Sequence, residues 1–434
     1  MQLITAISTP IGMGAISIVR VSGEGCLPLV ERFFHTRAYT HEPTPNMMYL
    51  GRFVGEGFSE QCMMVYFKAP RSYTGEDMVE VQVHGGVTVT NLVLRTFIEA
   101  GARLAAPGEF TRRAFLNGKL SLSAAEGVLG VIEAESAAEL AAAGALMQGS
   151  LAARLAPSLS KLEVLLASVE ASLDYPDEMQ EELDGNFAPL LAEVLSDLSA
   201  LAATAGDGKL ARHGISVAIV GSPNAGKSSL LNAILHEDRA IVTEIAGTTR
   251  DTLCESVTVG GVRLNLLDTA GLRQTEDVVE SIGVERAYAA ADKADAVVYV
   301  LDGDQEPDPQ LLARVEGKHL FVVRNKSDLG TQKRDYPTVS AKLGLGIDSL
   351  LADLAALVNT THAVGGMLVE DRHIQAVSRA LAHLRTAREA YETMPLDAVA
   401  LSLRQAYSAL GEIDGATATD QIIDGIFSRF CVGK

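Results

Sequence analysis

Positive charge is scarce in this chain: lysine and arginine number 36 against 55 acidic residues, leaving a net charge of −19. A broad nucleic-acid surface needs a basic stripe, and none is found. The basic residues around Arg103, Arg112, Arg113 and Lys119 form only a local patch. Any contact with RNA is therefore confined to one face or shared with a partner. Cysteine is equally sparse. Cys26, Cys62, Cys254 and Cys431 lie far apart with no C-x-x-C pair, which argues against a disulfide framework or a zinc site and for a reducing compartment. No basic segment followed by an apolar core opens the chain, and no apolar run reads as long enough to span a bilayer. The expected location is cytoplasmic. Internal repeats and low-complexity tracts are absent too. With 434 residues, 47% of them hydrophobic, there is material for two or three domains.

What is present concentrates in four segments in the middle. Gly221-Ser222-Pro223-Asn224-Ala225-Gly226-Lys227-Ser228 fits G-x-x-x-x-G-K-[ST]. It lies between an apolar run at 215–220 and a helical pattern at 229–235 that opens on Ser229, the strand–loop–helix context of a phosphate-binding loop. Glycines let successive backbone N–H groups curl around phosphate oxygens, and the helix N-terminus adds a positive dipole end. Lys227 is expected to reach the β- and γ-phosphates, and the Ser228 hydroxyl to ligate Mg²⁺. In Gly247-Thr248-Thr249-Arg250-Asp251, Thr249 is the switch threonine that completes the metal's coordination. In Asp268-Thr269-Ala270-Gly271, Asp268 at a strand tip holds the metal's outer shell, and the Gly271 N–H senses the γ-phosphate. In Asn325-Lys326-Ser327-Asp328, Asp328 accepts two hydrogen bonds from the guanine edge, which adenine cannot offer. Ser340-Ala341-Lys342 supplies a backbone contact to the base. These segments predict GTP, not ATP. Ras-like proteins place a water-orienting Gln directly after Asp-x-x-Gly; here that position is Leu272. Arg250, Arg273, Glu276, Asp277 and Glu280 are the nearby candidates to replace it, and for most of them a solvated switch region is the better reading.

Residues 1–118 read as α+β, with strands at 15–21 and 63–67. Residues 79–84 alternate with period two, placing Glu80, Gln82 and His84 on one face; from pattern alone that face is equally well the solvent side. A helix follows over 88–100. From 120 to 203 the period is near 3.6, opening on the capping box Ser123-Ala124-Ala125-Glu126 and broken by Pro176. Gly206-Asp207-Gly208 reads as punctuation before the GTPase unit. Helical patterns return over 371–394, 397–410 and 420–430. The expected architecture is an α+β domain (1–118), a discontinuous helical domain (119–212 and 359–434), and an inserted P-loop GTPase domain (213–358) with a parallel-rich sheet flanked by helices. The terminal Phe430-Cys431-Val432-Gly433-Lys434 superficially resembles a prenylation box, but the final Lys, the Gly before it and the lack of an upstream basic run argue against lipidation. Cys431 reads by default as a buried small hydrophobe, with a functional thiol as the alternative.

Further motifs carry a resemblance over the whole chain. Pro10-Ile11-Gly12-Met13-Gly14 leads to Arg20-Val21-Ser22-Gly23, followed by Tyr73-Thr74-Gly75-Glu76-Asp77 and His84-Gly85-Gly86. Then come Pro107-Gly108-Glu109-Phe110-Thr111-Arg112-Arg113-Ala114-Phe115-Leu116-Asn117-Gly118-Lys119 and the terminal Phe-Cys-Val-Gly-Lys. The chain resembles the tRNA-modification GTPase family called MnmE or TrmE. The resemblance implies an N-terminal folate-binding domain that also forms a homodimer, with Arg20, Glu80, Lys119 and Lys434 holding 5-formyltetrahydrofolate or a related tetrahydrofolate and Cys431 nearby. It implies that two GTPase domains close on each other around K⁺. The ligands of that ion would be Asn224, Thr243, Ile245 and Thr248, within the nucleotide-binding loop Thr243-Glu244-Ile245-Ala246-Gly247-Thr248. Glu280 would position the attacking water, answering the Leu272 substitution, and Lys227 would be the second catalytic residue. It further implies a flavin-dependent partner of the GidA/MnmG family, in a heterotetramer, and an aminomethyl or carboxymethylaminomethyl group installed at C5 of the wobble uridine of certain tRNAs. Two rivals stay open: a ribosome-assembly switch in the manner of Era- or EngA-like proteins, which would need a basic module after the GTPase domain, and a stand-alone folate-dependent transferase.

Overall fold

The computed structural model describes residues 2–235, 255–267, 289–330, 333, 335–358 and 366–434. They form two compact units, one of 2–129 with 408–434 and one of 130–407.

The first unit is built on seven strands: β1 (Ile4–Ile7), β2 (Ile16–Ser22), β3 (Phe34–His35), β4 (Met48–Gly55), β5 (Phe58–Phe67), β6 (Met78–His84) and β7 (Arg103–Leu104). Their order is β3-β4-β5-β6-β2-β1-β7. All neighbours are antiparallel except β1 and β7. The alternation in β6 acts as expected: Val79, Val81 and Val83 are buried, Glu80 and Gln82 half-buried, and His84 exposed. Helices α1 (Cys26–Glu31) and α2 (Val87–Glu99) supply Val30, Val93 and Phe97 to the core of this sheet. Phe97 meets Phe53 edge to face at 5.5 Å, the arrangement that ring quadrupoles favour.

A smaller core joins α3 (Glu109–Leu116) and α4 (Leu122–Glu133) to the C-terminal helix Asp420–Phe427, through Leu122, Ala125, Ile426, Phe427 and Phe430. The expected capping box is displaced. The helix starts at the buried Leu122, so Ser121 is the residue whose Oγ accepts the Ala124 N–H at 3.2 Å, while Ser123 Oγ donates to Asp414 at 2.5 Å.

The second unit contains α5 (Ala137–Met147), α6 (Ser150–Asp174), α7 (Pro176–Ala202) and α8 (Ala205–His213). Pro176 occupies the first turn of α7, where its missing N–H costs nothing. Gly206 and Gly208 do not punctuate; they lie inside α8, where Gly208 lets the Leu368 backbone come against the helix. The stretch 176–213 is long and apolar enough to cross a membrane by length and composition, contrary to the expectation that no run is. Its apolar residues nonetheless recur at Leu183, Phe187, Leu191, Val194, Leu198 and Leu201, the one-sided buried stripe of a helix packed on its neighbours. Phe187 stacks on Tyr391 at 3.9 Å.

Five strands form the second sheet: β8 (Ile215–Gly221), β9 (Glu255–Val259), β10 (Val262–Leu267), β11 (Ala296–Asp302) and β12 (His319–Asn325). The order is β12-β11-β8-β10-β9, parallel except for β9. The interior strand β11 is continuously apolar up to its last residue because it is buried on both faces. The chain leaves β8 for β10 on one side and returns to β11 on the other, so the crevice for a ligand opens at the carboxyl end of β8.

Phe97→Ala is expected to lower the opening free energy of β2 and β6 by about 3–5 kcal/mol, measured by native-state hydrogen exchange.

Candidate functional site

The loop after β8 leads into α9 (Lys227–Leu235). Its glycines answer to their neighbours: a Cβ on Gly226, at φ 90°, would lie 2.2 Å from Asn325 Nδ2. That amide is almost fully buried at the end of β12. It donates from Nδ2 to Ala225 O at 2.8 Å, and its Oδ1 accepts the Ala341 N–H at 3.1 Å. Asn224 takes the left-handed conformation (φ 60°) and is exposed. Lys227 Nζ donates to Gly221 O at 3.0 Å and Ser222 O at 2.8 Å, and burial pushes its pKa below the ordinary lysine range. Ser228 and Ser229 begin the helix beside it.

On the base side, Ser340 Oγ donates to Asp328 Oδ1 at 2.7 Å and holds that carboxyl below its usual range. Asp328 is therefore an ionised, acceptor-only group, suited to a base edge that offers two N–H donors. Lys326 Nζ pairs with Asp302 Oδ2 at 2.7 Å; Asp302 was not anticipated, though an acidic residue closing an apolar strand is the signal that points to it. The structure thus brings together 224–229, 325–328 and 340–342 around one crevice. Thr243, Glu244, Ile245, Ala246, Gly247, Thr248 and Thr249 lie outside the described residues, as do Asp268, Thr269, Ala270, Gly271, Leu272 and Glu280.

In the first unit, Arg20 and Glu80 are register partners on β2 and β6. Arg20 Nε and Nη2 both donate to Glu80 Oε1, at 2.9 and 2.8 Å, and Nη1 donates to Gly433 O at 3.3 Å. The guanidinium lies over the rings of Tyr73 (5.6 Å) and Phe110 (5.4 Å). The Phe110 N–H donates to Lys434 O at 3.1 Å. Burial, reinforced by Arg20 and opposed by Glu80, pushes the Lys434 ammonium below the usual lysine range. Arg20, Glu80 and Lys434 therefore share one site. Lys119 stands apart, donating to Pro70 O at 3.0 Å in the loop that carries Tyr73. The expected local basic patch is largely neutralised, because Arg103 pairs with Glu109, Arg112 with Asp424, and the buried Arg113 with Glu76 and Glu109.

Comparison with known proteins decides the family. Residues 3–119 match the GTP-binding protein TrmE N-terminus, and residues 122–431 match the MnmE helical domain. The tRNA modification GTPases MnmE of Moorella thermoacetica and Aquifex aeolicus are each 41% identical to this chain, over 99% of it and 99% of their own length. That of Exiguobacterium sibiricum is 40% identical over the same shares. The chain belongs to the MnmE family of tRNA modification GTPases. Among solved structures, Aquifex aeolicus Era bound to GDP.AlF4⁻ is 28% identical over 33% of this chain and 56% of its own, with a TM-score of 0.26; so loose a fit carries no argument.

This MnmE-family chain carries one exposed thiol among the described residues. Cys431 is solvent-exposed, not the buried hydrophobe of the default reading. Cys26 and Cys62 are buried, and desolvation pushes both thiols up to about 12. Because a raised thiol pKa keeps the unreactive protonated form at all lower pH values, alkylation of the folded protein at about pH 8 is expected to label Cys431 while sparing Cys26 and Cys62. Peptide mass spectrometry reads this out.

Proposed function

We propose that this chain is a homodimeric GTPase stimulated by K⁺ and coupled to tRNA modification in the cytoplasm. With a flavin-dependent partner of the GidA/MnmG family, in a heterotetramer, it installs an aminomethyl or carboxymethylaminomethyl group at C5 of the wobble uridine of certain tRNAs. The observation that carries the nucleotide half is the meeting of the phosphate loop and the base-reading loop on Asn325. The rest is supported by membership of a family named for tRNA modification.

Each residue has a separate task on this reading. Lys227 neutralises the β- and γ-phosphates, and Asp328 selects guanine. The hydroxyls of Ser228 and Thr249 are the hard oxygen donors that Mg²⁺ prefers; the ion, when bound, adds positive charge against the phosphates. Asn224, Thr243, Ile245 and Thr248 would hold K⁺ in the place of an arginine finger, and Glu280 would orient the attacking water. Hydrolysis drives a conformational cycle rather than chemistry on the RNA.

Arg20, Glu80 and Lys434 are assigned to a tetrahydrofolate one-carbon donor, 5-formyltetrahydrofolate or a relative, which Lys119 would join by exchanging its bond to Pro70 O for the ligand. Their chemistry fits such a ligand, since a half-buried carboxylate suits pterin N–H groups and flanking cations suit an acidic glutamate tail. Cys431 is the thiol available beside it. The four-part organisation (1–118, 119–212 with 359–434, and 213–358) fits this division of labour. Neutralisation of the basic patch favours a partner that supplies much of the RNA contact.

Cells lacking the protein are expected to lose the C5 substituent of the wobble uridine, read by nucleoside mass spectrometry; unaltered tRNA would refute the RNA half of this reading. Exchanging Na⁺ for K⁺ is expected to raise GTP turnover by on the order of 10²-fold, the scale of a preorganised charge at the transition state. Equal rates in both salts would remove the cation's role.

A further inference from the structure

Arg324, the residue before Asn325 in β12, is the largest fully buried side chain among the described residues. A guanidinium without water is costly unless its N–H groups are met by acceptors, and here they are. Nη1 donates to Gly303 O at 2.8 Å and Gln305 O at 2.7 Å, in the turn after β11. Nε and Nη2 form a fork on Asp335 Oδ1 and Oδ2 at 2.7 and 2.8 Å. The Tyr336 ring centre lies 5.5 Å from the guanidinium carbon. The backbone repeats the grip: the Arg324 N–H donates to Pro337 O at 2.8 Å, and its carbonyl accepts the Val339 N–H at 2.7 Å.

Both gripped segments lead to the nucleotide crevice. The strip 335–339 runs directly into Ser340 and Ala341, which hold Asp328 and Asn325 respectively. The turn after β11 carries Gln305, whose Oε1 accepts from Ser222 Oγ of the phosphate loop at 2.9 Å. Gly303 is half-buried, and Asp304, Gln305 and Asp335 are exposed. Tyr336 and Val339 give the 335–339 strip its apolar packing, and one buried cation ties that strip to the turn after β11.

We propose that Arg324 is a positioning residue for guanine recognition, holding Asp328 and the 340–342 loop in register with the phosphate loop. A carboxylate that must meet two N–H donors loses them when displaced by an ångström, whereas the phosphate contacts, fixed by β8 and α9, do not depend on that register. Loss of Arg324 therefore removes the base-dependent part of affinity and leaves the phosphate-dependent part. The inference rests on guanine nucleotide being the ligand.

The test measures GDP and inosine diphosphate affinities of the full-length protein with Mg²⁺ by calorimetry, since hypoxanthine lacks guanine's exocyclic amine. Thermal melting is recorded alongside. Arg324→Met is expected to cut the GDP-over-inosine-diphosphate preference by about 10-fold or more, the value of a hydrogen bond to a charged group. Over a titration of GTP, KM rises while kcat stays within about twofold. Arg324→Lys, which restores charge without the fork, recovers part of the preference. Asp335→Asn, which removes the charge but leaves an acceptor for the guanidinium, carries the test should Arg324→Met fail to fold; that side chain is 47% exposed, and the preference is expected to fall by about threefold, a lesser loss because the carbonyl contacts remain. Affinities for both nucleotides that fall by one common factor, or an unchanged preference in the variants, would overturn the inference and leave Arg324 as structural support only. Wild-type protein that binds neither nucleotide would overturn the guanine reading itself and this inference with it.

Discussion

The nucleotide crevice depends on one amide. Asn325 is buried at the tip of β12 and spends both ends of its side chain, donating to Ala225 O and accepting from Ala341. Two loops far apart in sequence are thereby hung from a single residue on a parallel strand. Removing one side of such a buried, saturated amide leaves an unpaired polar group, which costs more than the bond itself contributed. The same amide explains the glycine opposite it, because any side chain at 226 would occupy its space. Loop sequence and strand-end sequence are thus two halves of one steric and polar constraint.

The first unit solves a different problem with the same means. Its polar face would be an ordinary solvent side were it not for Arg20, which ties Glu80 to the chain's own last residues through Gly433 O. Phe110 and Tyr73 shield the guanidinium from two sides, and Phe427 and Phe430 anchor the segment leading to the tail. The tail therefore reaches its position by packing, and the polar contacts then fix its register. Such an arrangement keeps a charged group half-buried without stranding it, because each guanidinium nitrogen has an acceptor.

Motif positions were legible because their physical demands are local. A glycine-rich turn between strand and helix, or an Asn-Lys-x-Asp at a strand end, announces itself from neighbours alone, and β6 and α7 follow from period and proline. What stayed hidden required knowledge of distant partners. Gly208 reads as a turn signal until the Leu368 backbone is seen against it. Ser123 reads as a cap until Asp414 claims its hydroxyl. Arg324 carries no signal in the sequence; only the acceptors at 303, 305 and 335, each 11 to 21 residues away, reveal why it is buried. Half of the β12 tip was thus legible as chemistry and half was not, although the two residues are adjacent.

Charge placement closes the account. With a net charge of −19, the long-range field repels a polyanion, and at physiological salt that field is screened beyond about 8 Å. Arginines that might have offset it are already neutralised by carboxylates, Arg103 and Arg112 at the surface and Arg113 in the interior. On the proposed reading the cations that meet ligands are instead partly desolvated groups, Lys227 in one unit and Arg20 with Lys434 in the other. A small phosphate can displace the two carbonyls that hold Lys227 and gain the strength of a partly dry contact. An extended RNA backbone cannot reach into sites of that kind along its length. The distribution of charge therefore favours compact anionic ligands in both units, and on the proposed reading it makes a second protein a physical requirement for holding the tRNA.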